Sequence, residues 1–172
     1  MANASTIKRV VNIIEDDPSR KYIVVSAPGK RNSADVKVTD ALYACFNEVQ
    51  KTGNCDSTFL TVAKRFHEIV NELGVDVDLD ENLKVIKEGV EASKTPDYAA
   101  SRGEYLSAKI LAAKLGYDFV DADEIIKFND KGELLLNYSL DAVKAKLSKL
   151  DHAVIPGFYG SDTNGKVHTF SR

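Results

Sequence analysis

A short β-branched run stands near the start of the chain and reads YIVVSAPG over Tyr22–Gly29. Four consecutive apolar residues are too few for a helix, and β-branching favours a strand. A continuous apolar run of this length is typical of a strand buried on both faces, as in a parallel sheet. The small residues of Ser26–Gly29 then predict a loop at the carboxyl end of the strand, where ligands of open α/β sheets bind. An ordinary strand-to-loop turn is the alternative.

Segments with helical spacing of apolar residues surround this strand. Helices are predicted over Ser5–Glu15, Val38–Lys51, Phe59–Leu73, a segment around Leu83 that ends near Ser93, Tyr98–Leu115 and Ser139–Leu150. Ser5 or Thr6 is the expected N-cap of the first helix, and Ser139 that of the last. Gly74 and Gly116 are expected to end two of the others, because glycine readily adopts the left-handed backbone of a helix C-terminus.

Further short apolar runs follow in the second half of the chain. Strands are predicted at Tyr117–Val120, Ile125–Phe128, Ala153–Pro156 and Lys166–Phe170, and Glu133–Leu136 is expected to pair back as a hairpin. Because strands alternate with helices, the predicted fold class is α/β, a layered fold with a mainly parallel sheet between helices.

Composition excludes several classes of protein. The 172 residues carry 23 Lys and Arg against 26 Asp and Glu, a net charge of −3, so no basic excess points to a nucleic-acid partner. The hydrophobic content of 44% argues against a disordered chain. No apolar run approaches the ~18 residues of a membrane helix, and no secretory signal precedes the first helix. A cytoplasmic protein without a membrane partner is therefore expected.

The two ends of the chain have unusual patterns for an α/β domain. Such a domain usually begins with a strand, whereas this chain opens in a predicted helix. The last strand-like segment stops at Ser171-Arg172 without a cap or tail. Residues 1–172 are therefore expected to be a single partial domain.

Two groups of polar residues are candidates for a small-molecule site. Thr39 precedes the apolar face of a helix, where it is either an N-cap or a ligand for an anion at the helix N-terminus. In the long helix, Gly103 suggests a close approach of backbone or ligand, since glycine costs about 1 kcal/mol there relative to alanine. Arg102 and Glu104 are two residues apart, point to different helix faces and are poor partners for each other. A solvated Glu104 is the alternative.

Other motifs favour structural roles. Gly157-Phe158-Tyr159-Gly160 is either a loop over a small ligand or a structural turn with a core aromatic. The three histidines share no metal-ligand spacing, so no metal site is predicted. Cys45 falls on an apolar helix face and is expected to be a buried small hydrophobe. No Gly-rich segment ends in the Gly-Lys-Ser/Thr of a P-loop.

Several segments, in this order, resemble the aspartate kinases of the amino-acid kinase superfamily. The matching stretches are Val24–Lys30, Lys37–Leu42, Ser101–Ala108, Gly116–Ile126, Pro156–Gly160 and Thr169–Arg172. The resemblance covers essentially the whole chain and implies the amino-acid kinase fold. It also implies phosphorylation of the side-chain carboxylate of L-aspartate by ATP with Mg2+, the first step toward lysine, threonine and methionine, in a protein expected to be a homo-oligomer.

The resemblance also implies roles for five residues. Glu104 would receive the substrate ammonium group, and Arg172 would bind its α-carboxylate, because a planar guanidinium suits a carboxylate. Ser26, Thr39 and Phe158 would complete the acceptor pocket. Another amino-acid kinase, acting on glutamate or acetylglutamate, and a non-catalytic binding or dimerisation module remain alternatives.

The resemblance implies that the catalytic residues lie outside this chain. The family opens with a strand carrying Lys-Phe-Gly-Gly-Ser-Ser, and this sequence begins just beyond that point. The closing Ser-Arg matches the start of a motif that continues Gly-Gly-Ser-Asp. The lysine and the aspartate of those motifs stabilise the transferred phosphoryl group, so this polypeptide alone is expected to have no kinase activity.

Overall fold

The structure, a computed structural model, describes residues 1–170. Its helices are α1 (Ala4–Glu15), α2 (Val38–Thr52), α3 (Asp56–Leu73), α4 (Leu79–Ala92), α5 (Asp97–Leu115), α6 (Ala122–Ile125) and α7 (Leu136–Leu147). Its strands are β1 (Tyr22–Val25), β2 (Asp118–Phe119), β3 (Ala153–Pro156), β4 (Tyr159–Ser161) and β5 (Val167–Thr169). The predicted α/β class with a parallel sheet is confirmed. Within the described residues, no helix has the length and apolarity needed to cross a membrane.

The main sheet has β3 at its centre, with β1 and β2 on either side and all three strands parallel. Tyr22 is paired with Ala153, and Val25 with Pro156. All four residues of β3 are buried, as its continuous apolar sequence predicts. The strands β4 and β5 form a separate antiparallel hairpin.

Only one face of β1 is covered, so the prediction that this strand is buried on both faces is wrong. Ile23 and Val25 face the main core, which the first five helices form with Val154 of β3. The opposite face of the sheet is covered by a smaller cluster built from α6, α7 and the β4–β5 hairpin. That cluster reaches the centre of the sheet but not its edge, so Tyr22 is 44% and Val24 67% exposed.

The first helix begins earlier than the sequence predicts. Asn3 is the N-cap of α1, and its Oδ1 accepts a hydrogen bond of 3.0 Å from the backbone N–H of Thr6. The backbone N–H of Asn3 donates in return to the Thr6 hydroxyl, at 3.2 Å. Thr6 therefore supplies the reciprocal half of a capping box rather than the cap itself. Gly74 and Gly116 end α3 and α5 in the left-handed conformation, as predicted.

The second half of the chain departs from the prediction at two places. Residues 125–128 were expected to form a strand, but α6 runs through Ile125, and only isolated bridges at Lys127 and Phe128 follow. Ser139 is not an N-cap, because α7 already begins at Leu136. Its hydroxyl instead accepts a hydrogen bond from the backbone N–H of Lys127 at 2.9 Å, which ties α7 to the preceding turn.

Candidate functional site

The carboxyl ends of β1 and β3 meet at one edge of the sheet. The backbone N–H of Gly157 donates to the carbonyl of Val25 at 2.9 Å. A Cβ atom on Gly157 would lie 3.2 Å from that same carbonyl oxygen, so only glycine fits this approach without a shift. The segment that carries Phe158 is thereby held beside the segment that carries Ser26, at the edge where parallel sheets bind ligands.

Gly103 brings the long helix against both other candidate segments. A Cβ atom there would lie 2.7 Å from Cβ of Ala27 and 3.2 Å from Cγ1 of Val38. The close approach predicted for this glycine is therefore present, and its partners are the loop after β1 and the first turn of α2. Glu104 follows Gly103 directly in α5, so its backbone lies within one residue of this contact.

The four described candidate residues differ in exposure. Glu104 is only 3% exposed, which excludes the solvated alternative. Thr39 is 5% exposed. Ser26 is exposed and Phe158 half-buried. The two candidate residues on the helices are thus buried, while the two that follow the strands are more accessible to solvent.

Thr39 is the second residue of α2 and not its N-cap. The cap position is Lys37, whose side chain makes no capping hydrogen bond. The backbone N–H of Val38 donates to the carbonyl of Pro28 at 3.2 Å, which fixes the start of the helix against the loop. First-turn N–H groups have no partner within their own helix, so this position favours an anion.

Phe158 has a backbone φ of 77°, a left-handed conformation that is uncommon for a bulky residue. Such strain costs about 1–3 kcal/mol and is concentrated at functional sites. The carbonyl of Phe158 accepts a hydrogen bond of 2.9 Å from the backbone N–H of Phe170. Phe170 is thereby held at this edge of the sheet. Arg172, the fifth predicted residue, lies outside the described residues.

A buried arginine that sequence reasoning missed holds the loop between β1 and α2. Arg65 of α3 is 6% exposed and pairs with the carboxylate of Asp35. Its Nη1 donates to the carbonyl of Gly29 at 3.1 Å and to that of Ala2 at 3.3 Å. Hydrogen bonds from Arg31, aided by the charge of Arg65, hold the pKa of Asp35 well below its usual range. The loop next to Ser26 and Thr39 is therefore fixed by an ion pair, Arg65 with Asp35, that stays charged at neutral pH.

A second buried arginine lies on the other side of α5. The Cζ atom of Arg102 is 4.6, 4.8 and 4.9 Å from the ring centroids of Tyr98, Tyr105 and Tyr159. Its Nε donates to the hydroxyl of Ser101 at 3.0 Å. Tyr98 lies four residues before Arg102 and Tyr105 three residues after it, so all three lie on one helix face. This spacing is visible in the sequence. The partners of the Arg102 guanidinium are therefore these three rings and Ser101, in agreement with the spacing that makes Glu104 a poor partner.

The Tyr159 side chain is part of the smaller core. It is 1% exposed, and its hydroxyl donates to Oδ1 of Asp121 at 2.6 Å. Burial raises the pKa of Tyr159 well above its ordinary value. Residues 157–160 were interpreted as either a loop over a ligand or a structural turn with a core aromatic. Tyr159 is that core aromatic.

Neither cysteine resembles a nucleophile. Cys45 and Cys55 are both fully buried, as predicted for Cys45. Burial raises the pKa of both thiols, that of Cys55 to about 12. A thiol that stays protonated at neutral pH reacts slowly.

Comparison with known proteins finds similar sequences and structures. Aspartokinase 3 of Bacillus subtilis (strain 168) is 33% identical to this chain over 187 aligned positions, which include all of the chain and 41% of that protein. An aspartate kinase of Clostridium acetobutylicum of known structure is 45% identical, with a TM-score of 0.95 over 99% of this chain and 39% of its own. This chain is a homologue of the aspartokinases. No family model matches the sequence.

The aspartokinase fold extends to more distant structures. Aspartokinase III of E. coli, solved in complex with aspartate and ADP, is 18% identical, with a TM-score of 0.78 over 99% of this chain. The same enzyme with lysine and aspartate gives a TM-score of 0.79 at 18% identity. The chain spans about two fifths of the length of the aspartokinases it matches.

The fold brings together the segments of four of the five predicted residues. The loop after β1, the first turn of α2, the start of α5 and the turn after β3 meet at one edge of the sheet. Their chemistry is a buried carboxylate, two hydroxyls, a helix N-terminus and an aromatic ring. Such a set suits a small zwitterionic ligand, with the carboxylate as the partner of its cation.

Proposed function

We propose that this chain provides the aspartate-binding part of an aspartate kinase. The enzyme would transfer the terminal phosphoryl group of ATP to the side-chain carboxylate of L-aspartate, the first step of lysine, threonine and methionine biosynthesis. The observation that carries the proposal is that the buried Glu104 adjoins Gly103, which packs against the segments of Ser26 and Thr39, while the turn of Phe158 is hydrogen-bonded to the end of β1. The match to aspartokinases over the whole chain supports it.

Glu104 is the residue that binds the substrate ammonium group in this proposal. A buried carboxylate is stabilised by cations and hydrogen-bond donors that approach it in a site shielded from water. A bound ammonium group supplies both, and a charge-assisted hydrogen bond at a buried site is about twice as strong as a neutral one. An exposed glutamate would gain much less.

The remaining candidate residues contact the other parts of the substrate. Thr39 offers a hydroxyl at a helix N-terminus, where negative charge is stabilised. Ser26 and Phe158, at the ends of two neighbouring strands, bound the pocket on its open side. Arg172 would bind the α-carboxylate through its two parallel N–H groups.

In this proposal the chain does not carry the complete magnesium–nucleotide site. Residues 1–170 contain no group of three or more side chains suited to a metal ion, and the sequence has no P-loop. We propose that ATP and Mg2+ are held by other parts of a longer kinase. The ADP bound to the E. coli relative supports nucleotide use. Phosphoryl transfer depends on positioning and on stabilisation of spread charge, so this chain alone is inactive in the proposal.

The proposal also includes the cellular location, the oligomeric state and the partners of the protein. Residues 1–172 form a single partial domain of a cytoplasmic homo-oligomer without nucleic-acid or membrane partners. The net charge of −3 supports the absence of a nucleic-acid partner. The exposed Tyr22 and Val24 on the edge strand supply apolar surface for association. A sharp monomer peak in size-exclusion chromatography would contradict this last point.

The experiment is an assay of aspartyl phosphate by hydroxylamine trapping. The chain is compared with a longer protein that adds the Lys-Phe-Gly-Gly-Ser-Ser and Gly-Gly-Ser-Asp motifs. We expect signal from the longer protein only, and its loss in Glu104→Gln. Glu88→Gln, at an exposed position of α4, is the matched control and should leave activity unchanged.

Three other outcomes would redirect the assignment. Signal with glutamate or acetylglutamate in place of aspartate would mean a different amino-acid kinase. No signal with any acceptor, together with no binding of aspartate in calorimetry, would favour a non-catalytic module. Signal from the short chain alone would mean that the catalytic groups are misplaced in this proposal.

A further inference from the structure

A second cavity lies away from the edge of the sheet that carries the candidate site. It has a volume of about 520 Å³ and lies between the α4–α5 connection and the turn that joins β4 to β5. None of Ser26, Thr39, Glu104 or Phe158 lines it. Its lining residues are Ala92, Ser93, Lys94, Thr95, Tyr98, Arg102, Asp123, Gly165, Lys166 and Val167.

The wall of this cavity contains an arginine with an unused donor. Arg102 is 6% exposed, and within residues 1–170 its buried Nη2 has no hydrogen-bond partner. The tyrosine rings around it stabilise the positive charge through their faces, while Nη2 still lacks a hydrogen-bond acceptor. An unsatisfied buried N–H of a charged group is more costly than that of a neutral group. An acceptor that enters through the cavity would remove this cost.

The charges of the wall favour an anion as that acceptor. Lys94, Arg102 and Lys166 carry three positive charges, against one carboxylate at Asp123. Both lysines are exposed at the mouth, where they attract a diffusing anion. The hydroxyls of Ser93 and Thr95 line the same cavity and can act as further polar partners.

We propose that this cavity is a second binding site, for a small anion bearing a carboxylate or phosphate group, with Arg102 as its principal donor. A guanidinium presents parallel N–H groups that match either anion in a bidentate arrangement. Tyr98 and Val167 also line the site and give it apolar surface for the carbon skeleton of a ligand. The inference is independent of the proposed kinase activity, because it uses none of the aspartate-binding residues.

The test is a titration of the 172-residue chain with inorganic phosphate and, separately, with citrate. Sodium chloride at equal ionic strength is the reference, which removes general screening. Binding is followed by calorimetry and by the NMR signal of the Arg102 Nε–H group. We expect saturable binding near about 1 mM with a shift of that signal. Comparison of the two titrations distinguishes a phosphate site from a carboxylate site.

Three variants locate the site. Arg102→Lys should weaken binding about tenfold or more, the equivalent of one lost charge-assisted hydrogen bond. Lys166→Ala, at the exposed mouth, should weaken it severalfold without affecting the fold, as circular dichroism will verify. Lys8→Ala on α1 removes an exposed lysine elsewhere and should have no effect.

Three results would overturn the proposal. The first is a lack of saturation by either anion in the unmodified chain. The second is equal binding in Lys166→Ala and the unmodified chain, which stays informative if Arg102→Lys fails to fold. The third is a loss in Lys8→Ala as large as in Lys166→Ala, which would indicate non-specific attraction to lysines.

Discussion

Replacing Gly103 with alanine tests how tightly the three segments at the candidate site are packed. The added Cβ would lie 2.7 Å from Cβ of Ala27. That contact has to lengthen by about 0.8 Å to reach the ~3.5 Å at which carbon atoms attract each other. Because Cβ of Ala27 is attached directly to the backbone, no side-chain rotation can provide this space. Either α5 or the loop after β1 has to move.

The expected magnitude combines two opposing effects. Alanine is favoured over glycine in a helix interior by about 1 kcal/mol, whereas overpacking a core costs about 1–3 kcal/mol. The free energy of unfolding of Gly103→Ala should therefore be unchanged or lower by up to about 2 kcal/mol. In a chain of this size the larger value lowers Tm by about 4–8 °C.

Ligand binding should respond more strongly than stability. A shift of Ala27 also displaces Ser26 relative to Glu104, and a misplacement of about 1 Å costs up to a hundredfold in positioned chemistry. We expect L-aspartate binding to the kinase that contains this chain to weaken about tenfold to a hundredfold. Urea unfolding measures the stability, and calorimetry measures the binding.

Gly29→Ala is the matched control, on the same loop. A Cβ atom at Gly29 meets nothing within 4 Å, so the substitution should be silent or slightly stabilising. The reasoning is refuted if Gly103→Ala gains about 1 kcal/mol of stability and binds aspartate like the unmodified protein. That result would mean that the loop yields freely and does not set the geometry of the pocket.

Three further predictions concern single contacts. Tyr159→Phe removes the donor to the α6 cap and should lower stability by about 1–3 kcal/mol in urea unfolding, whereas Tyr138→Phe, at an exposed position, should not. Burial raises the pKa of Asp97, but hydrogen bonds from Thr169 outweigh it and leave the pKa below its ordinary value. Asp97→Asn should therefore cost about 1 kcal/mol at neutral pH, and the difference should disappear as the pH falls below about 4; an unchanged difference at pH 3 would contradict this. Arg65→Met should raise the hydrogen-exchange rates of the amides in residues 30–37 about tenfold or more, while the rates of the β3 amides change less. Equal increases in both segments would indicate global destabilisation instead.

The sequence was most informative where a local pattern determines the structure. The helix ends at Gly74 and Gly116 were correct because a left-handed terminus requires glycine or a near equivalent. The close approach at Gly103 was inferred from the cost of glycine in a helix, although its partner Ala27 was not. The burial of Cys45 followed from helical periodicity.

The errors concern features that depend on distant parts of the chain. An apolar strand has the same sequence at the edge of a sheet as at its centre, so the exposure of Val24 could not be inferred. Ser139 has the composition of a cap, but its partner is Lys127, twelve residues earlier. Arg65 and Arg102 did leave a signal, because each lies on an otherwise apolar or aromatic helix face. A charged residue in such a position predicts a buried partner.

The parallel pairing of β1 with β3 has a consequence for synthesis on the ribosome. The end of β1 and the start of β3 are separated by more than 120 residues, so β1 is without a partner until β3 has been translated. At 5–20 residues per second, this interval lasts roughly 6–25 s. The helices α1 to α5 can fold within that time, whereas the nascent β1 exposes its backbone hydrogen-bonding groups. A chaperone that binds extended apolar segments would therefore find its target here early in translation, and a ribosome that stalls before residue 153 would release a chain with an open strand edge.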